Sequence, residues 1–357
     1  MVDKCACCAT LKEAWPTPLR IERTCRPYFL VLPPYVKPYL TVEDQLSLLS
    51  GRGMIMPADF DQAVNWLRRI GYYRLSGYWY PFRERDGEKV LETFRGGTEL
   101  AHAFNLYVFD KRLRLLMLDA IERVEVGFRV EIALLIGKVD PWAHRSPQTF
   151  NRYFNEVVDP TTSGTRHADW LSRLDELCGR SREDFAKHFR AKYSGHFPIW
   201  IAVELWDFGT LSNLINGLHD KHVQPLAERY GLPRRTMLVS WIRCLNFVRN
   251  VCAHHGRLWN RPLIDQPAPP RKDEIPLLQH WLPHEKINSR LYAAASILQY
   301  FLRSMSPQSA WGNRLHALID EFPGGPGLRS CGFPSDWHSQ DLWINGSATA
   351  ALPSTAR

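Results

Sequence analysis

The stretch from Thr98 to Lys138 constrains this chain more than any other. Leu118, Ile121, Val124, Phe128, Ile132 and Leu135 recur at three- and four-residue intervals, the spacing of one face of an α-helix. Nothing breaks the run until Asp140-Pro141, where proline forbids continuation. Those six side chains are core candidates. Glu122, Glu125 and Arg129 share another face, and Glu125 and Arg129 stand at the i,i+4 spacing of a helical ion pair.

A second amphipathic run spans residues 233–262. Leu238, Trp241, Ile242, Leu245, Val248 and Cys252 form an apolar side, while Arg243, Asn246, Asn250 and His254 form a polar one. Pro233 suits the first turn, Gly256 suits the end, and Pro262 prevents extension. The run closes in Arg249-Asn250-Val251-Cys252-Ala253-His254-His255-Gly256-Arg257-Leu258-Trp259-Asn260, a dense cluster of donors and titratable groups. Asn250 and His254 share a face. Arg249 lies about 140° from His254 at about 100° per residue, a gap its long side chain can close. Arginine beside histidine suits phosphodiester chemistry: the guanidinium forks onto phosphate oxygens, and the imidazole takes or returns a proton near neutrality.

The rest of the pattern is also helical. Helices are expected at 41–51 (Thr41 and Asp44 at its start), 57–70 (stopped by Gly71), 166–178, 182–192 (capped by Ser181), from Pro198, at 285–304 and at 307–321. Gly209 is expected to allow a helix end and restart, and residues 139–164 and 262–283 read as connections. Ile70 to Phe82 interleaves Tyr, Trp and Arg. It reads as aromatic core beside a turn, with Tyr73 and Arg74 available to stack bases and hold phosphates. No strand pattern stands out. Three segments are expected: a poorly ordered arm over 1–37, a helical domain over 38–340, and a disordered tail over 341–357.

Composition narrows the function classes. With 357 residues and 45% hydrophobic content the chain can bury a large core. A net charge of +8 favours an anionic partner, nucleic acid above all. No apolar run approaches the roughly 20 residues of a membrane span, and no leader is visible. A cytoplasmic protein without a membrane association is therefore expected. Eight cysteines over this length do not make a disulfide framework. The Cys5, Cys7 and Cys8 run lacks the second spaced pair of a metal site. Neither a metal nor a cofactor is expected.

The bare pattern of Arg followed by His also fits Arg95/His102, Arg182/His188 and Arg190/His196. What singles out Arg249-Asn250-x-x-x-His254 is the following Asn250, the tail His255 to Asn260, and blocks elsewhere. These are Ile70–Phe82, Leu106–Arg114, Ile121–Arg129, Phe197–Trp200, Glu204–Ser212 and Gly332–Trp337. Together they resemble the Abi-like (AbiD/AbiF-type) abortive-infection proteins, a branch of the HEPN ribonucleases, over roughly residues 38–340.

The resemblance implies an all-α fold, a HEPN-type helical bundle with additional N- and C-terminal helices. It implies a homodimer, because the chain holds one complete signature and such sites combine two. It also implies metal-independent RNA cleavage through the 2′-hydroxyl, leaving a 2′,3′-cyclic phosphate and a 5′-hydroxyl. Arg249, Asn250 and His254 would be catalytic. His255, Glu125 and Arg129 would support them, and Arg257, Asn260, Tyr73 and Arg74 would contact RNA. Two other readings of the same residues stand beside this one. In one, the cluster is a satisfied helix end with Arg249 paired to Glu125 or Glu122. In the other, the domain binds RNA without cutting it, working with a small noncoding RNA or a protein partner.

Overall fold

The computed structural model describes residues 36, 38–159, 164–284, 287–324 and 327–344. The chain divides into two compact units, Met1–Leu40 and Thr41–Arg357, and every element below belongs to the second. The cysteine run at 5–8, nearly all of the expected arm, and the tail from 345 lie outside the described residues.

Local chemistry sets the first elements. Thr41 caps α1 (Val42–Gly51) by accepting the Asp44 amide. Asp59 caps α2 (Phe60–Ile70) by accepting the Gln62 amide, so this helix begins three residues later than its apolar pattern suggests. Gly71, at φ 89°, ends α2 and leads directly into α3 (Tyr72–Trp79). The aromatic segment is thus itself a helix, with Leu75, Tyr78 and Trp79 buried and Tyr73 85% exposed.

Strands β1 (Arg83–Asp86) and β2 (Lys89–Phe94) follow as an antiparallel hairpin. This corrects the expectation of no strands. The turn residue Gly87 takes φ 58°, which suits a two-residue hairpin turn. β1 is polar and mostly solvent-facing, and the apolar Val90 and Leu91 of β2 are adjacent, so neither strand shows the alternation that would reveal it.

Helix α4 (Leu100–Gly137) is the scaffold, 38 residues long and opened by a reciprocal Glu99/His102 capping box. Leu106, Leu113, Met117, Ile121, Val124, Phe128 and Ile132 form its buried stripe, while Leu118 and Leu135 are half-buried at the stripe's edge. The expected connection after it holds a short α5 (Arg152–Asn155) and a second small hairpin, β3 (Val157–Asp159) with β4 (Gly164–Thr165). Then come α6 (Arg166–Arg180), α7 (Asp184–Lys192), α8 (Ile199–Ala202), α9 (Phe208–Gly217), α10 (Asp220–Arg229), α11 (Arg235–Ala253), α12 (Leu291–Met305) and α13 (Trp311–Asp320).

The expected helix end and restart falls at Trp206 and Asp207, and Gly209 itself makes no break. Asp207 caps α9 by accepting the Thr210 amide at 2.7 Å, and Gly209 lies in the helix's first turn. A capping carboxylate overrides the turn preference of a glycine two residues on. Helices α3, α8, α11, α12 and α13 pack along α4, which makes the unit predominantly α-helical with one continuous core. The chain stays packed to Trp343, whose indole donates to the Tyr292 hydroxyl. No helix among the described residues is long and apolar enough to cross a membrane.

Candidate functional site

The C-terminal end of α11 closes with two reverse bonds. The Gly256 amide donates to the Val251 carbonyl at 2.8 Å, and the His255 amide to the Cys252 carbonyl at 3.1 Å. This is the Schellman pattern, which requires a left-handed residue at the position His255 occupies. His255 sits at φ 56° where glycine is the usual choice, a conformation costing a side-chain-bearing residue about 1–2 kcal/mol. Gly256 has a different reason to be glycine: a Cβ there would meet Arg261 Nη1 at 3.1 Å and Val251 Cγ1 at 3.2 Å. Arg74 of α3 braces the turn, its Nη1 donating to the His255 carbonyl at 2.7 Å.

This turn brings several expected residues together. His254 and His255, both exposed, line an open groove of roughly 600 Å³ with Tyr73, Arg74, Arg257 and Arg261. None of the lining residues is acidic. Arg261 went unnoticed in the sequence, where it is one arginine among many in a proline-rich connection. Arg257 has a structural contact as well, donating to the Gly77 carbonyl and packing on the glycine itself.

Beneath the groove lies a buried network that sequence reasoning also missed. Asp110 is fully buried and accepts from the Tyr78 hydroxyl (2.7 Å), from Arg114 Nη1, and from the Leu258 and Trp259 amides (3.2 and 2.8 Å). Burial raises the Asp110 pKa, opposed by the Tyr78 hydrogen bond and the Arg114 charge. Four donors converge on the two oxygens, so the group is read as a carboxylate. Arg114 also donates to the Gly256 carbonyl at 3.3 Å. The signal was present in Leu106–Arg114, where Asp110 and Arg114 interrupt an otherwise apolar face at i,i+4.

The other half of the expected set lies elsewhere. Arg249, Asn250, Glu125 and Arg129 do not line the groove. Glu125 and Arg129 form the i,i+4 ion pair at 2.5 Å, and Arg129 also donates to the Trp206 carbonyl. Burial raises the Glu125 pKa, and the nearby charges of Arg129 and Arg249 oppose that rise. Arg249 Nη1 donates to Asn250 Oδ1 at 3.3 Å. Among the described ion pairs, Glu125 is paired with Arg129 rather than with Arg249. Asn246 Oδ1 is buried near Gly209 without a partner, as is Arg129 Nε. A polar seam therefore runs between α4, the start of α9 and α11. Asn260 is held through its backbone carbonyl, which accepts from Arg290, while its side-chain oxygen is buried and unpartnered. Among the described residues, no group of three or more His, Cys, Asp or Glu is arranged to hold a metal ion.

The sequence model of the Abi-like proteins matches residues 65–260, more than half of the chain. The chain belongs to the Abi-like family. The matched span runs from α2 through Asn260, so it contains α3, the whole of α4, the polar seam and the histidine-bearing turn. Membership in this family carries the coarse assignment to abortive infection. No curated protein and no solved structure matches the chain.

Proposed function

We propose that this Abi-like protein is a metal-independent HEPN-type endoribonuclease of bacterial anti-phage defence, working in the cytoplasm. The observation that carries the reading is the groove at the end of α11, where two exposed imidazoles stand among three arginines. Arginines hold phosphate oxygens, and exposed imidazoles exchange protons near neutral pH. His254 takes the proton of an RNA 2′-hydroxyl as that oxygen attacks phosphorus. The bond from phosphorus to the 5′-oxygen breaks, and the departing oxygen receives a proton from His255 or from a second copy's imidazole. The products are a 2′,3′-cyclic phosphate and a 5′-hydroxyl. Arg249 neutralises charge on the reacting phosphate, and Asn250, hydrogen-bonded to it, keeps it oriented. Glu125 and Arg129 hold the wall of the seam from which Arg249 extends. Arg74, Arg257 and Tyr73 flank the RNA, while Asn260 acts through Arg290. A homodimer that brings two such sets to one RNA belongs to this reading.

One observation favours a second reading. Arg249 lies outside the groove that holds His254, and its charge acts on half-buried Glu125. A domain that grips RNA without cutting it, together with a small noncoding RNA or a protein partner, needs only the groove.

The test is incubation of wild type, Arg249→Ala and His254→Ala with total cellular RNA in excess chelator, with fragment ends mapped. Cutting by wild type alone, leaving cyclic-phosphate ends, is expected. The His254→Ala rate should fall by about 10²–10⁴-fold. Unchanged cutting by that variant sinks the assignment. Tight RNA binding without cutting by wild type selects the second reading.

A further inference from the structure

A second basic cleft adjoins the first through a short stretch of chain. His284, Arg290, Arg329, Phe333 and Pro334 line an open space of about 710 Å³, and none of its described lining residues is acidic. Arg329 is exposed, with no carboxylate at ion-pair distance among the described residues. Arg290 is positioned by the protein itself, its Nη1 donating to the Asn260 carbonyl at 3.3 Å. Gly332, at φ 85°, lets the opposite wall approach, since a Cβ there would stand 2.5 Å from Arg290 Cβ.

One stretch of chain links the two clefts. Asn260, which holds Arg290, directly precedes Arg261, which lines the histidine groove. Two residues further on, the Leu263 amide donates to the Ser289 carbonyl at 2.9 Å and ties this segment to the start of α12. Arg257 and Arg261 thus line one cleft and Arg290 and Arg329 the other, with Asn260 between them along the chain. Clefts lined by a single sign of charge concentrate polyanions, and a groove that tracks a backbone is how single strands are held.

We propose that the cleft around Arg290 and Arg329 binds backbone phosphates of the same single-stranded RNA that enters the histidine groove, several nucleotides to one side of it. This rests on the RNA reading of that groove but not on cleavage. Openness and this link favour a polymer over a free nucleotide: neither cleft encloses a base, and the residue that holds Arg290 directly precedes one that lines the histidine groove. Arg329 is the informative position, because Arg290 also holds the Asn260 loop.

The experiment uses fluorescent, fully 2′-O-methylated RNA, which lacks the attacking hydroxyl, so binding is read independently of cutting. Probes of about 4 and about 12 nucleotides are titrated against the full chain, wild type and Arg329→Ala or Arg329→Glu, with a melting curve for each variant. Wild type should bind the longer probe more tightly. Arg329→Glu should weaken the longer probe by about tenfold and the shorter by less than about twofold, and Arg329→Ala should lower the salt slope by about 0.7. Equal effects on both lengths, or no effect on either, overturns the proposal, as does a wild type that binds neither probe. Inorganic phosphate or AMP binding lost in Arg329→Glu, with probe affinity unchanged, assigns the cleft to a free anion and also overturns it. A protein that cuts no RNA yet shows the length-dependent Arg329 effect keeps this proposal and removes the nuclease reading.

Discussion

Replacing Asp110 by alanine tests whether the buried network holds the histidine-bearing turn. The wild-type carboxylate is fully buried beside Arg114, which is 5% exposed, and it accepts two amides from the segment after α11. Removing it strands the guanidinium in the core, a change that costs about 3–5 kcal/mol in buried pairs. It also orphans the Leu258 and Trp259 amides and the Tyr78 hydroxyl, at about 1–3 kcal/mol each where water cannot reach. Water entry and relaxation share these costs, so a net loss of about 4–5 kcal/mol is expected. At about 2–4 °C per kcal/mol this lowers Tm by about 8–20 °C. Thermal melting gives the total, and hydrogen exchange at Leu258 and Trp259 shows where it falls. Arg114→Met added to Asp110→Leu should recover at least half, because no charge is then left buried. A loss under about 3 °C, or a double variant no better than Asp110→Ala, refutes the reasoning.

Three further outcomes follow from particular side chains. His255→Gly should raise Tm by about 2–4 °C, because glycine adopts φ 56° without the about 1 kcal/mol penalty; a lower Tm contradicts the strained-turn account. His144 is fully buried with both ring nitrogens unpartnered, and burial pushes its pKa down to about 3. The unfolded chain therefore takes up the proton first, so stability present above pH about 6.5 falls as pH drops toward 3, at about 1.4 kcal/mol per unit. His144→Phe should flatten the Tm profile between pH 6.5 and 4, leaving the similar slope from His280, whose pKa is pushed down to about 4; parallel profiles refute this. Gly217→Ala should cost about 1–3 kcal/mol, since its Cβ would stand 2.5 Å from the Phe154 ring; a neutral Tm means that ring moves freely.

Much of the fold was legible because helices declare themselves locally. The stripe of α4, the Thr41 cap and the stop at Gly71 are each written within a few residues. The two hairpins were hidden because their strands are short and carry no regular alternation of apolar and polar residues. At Gly209 a glycine was weighed above the capping Asp207. For the candidate site, the histidines and Arg74 were found as residue types, but their meeting was not, since Arg74 and His255 are 181 positions apart.

By itself the sequence determined the helical class, the family and the short list of polar groups that nucleic-acid chemistry would use. These depend on period, on capping within one turn and on motif spacing, all short-range. Only the tertiary structure decided which groups share a surface. Folding set His254, Arg74 and Arg261 around one groove, left Arg249 outside it against Asn250, and buried Asp110 under Leu258 across 148 positions. That outcome rests on desolvation and on pairing buried polar groups across the fold, which are properties of the packed interior and not of any stretch of chain.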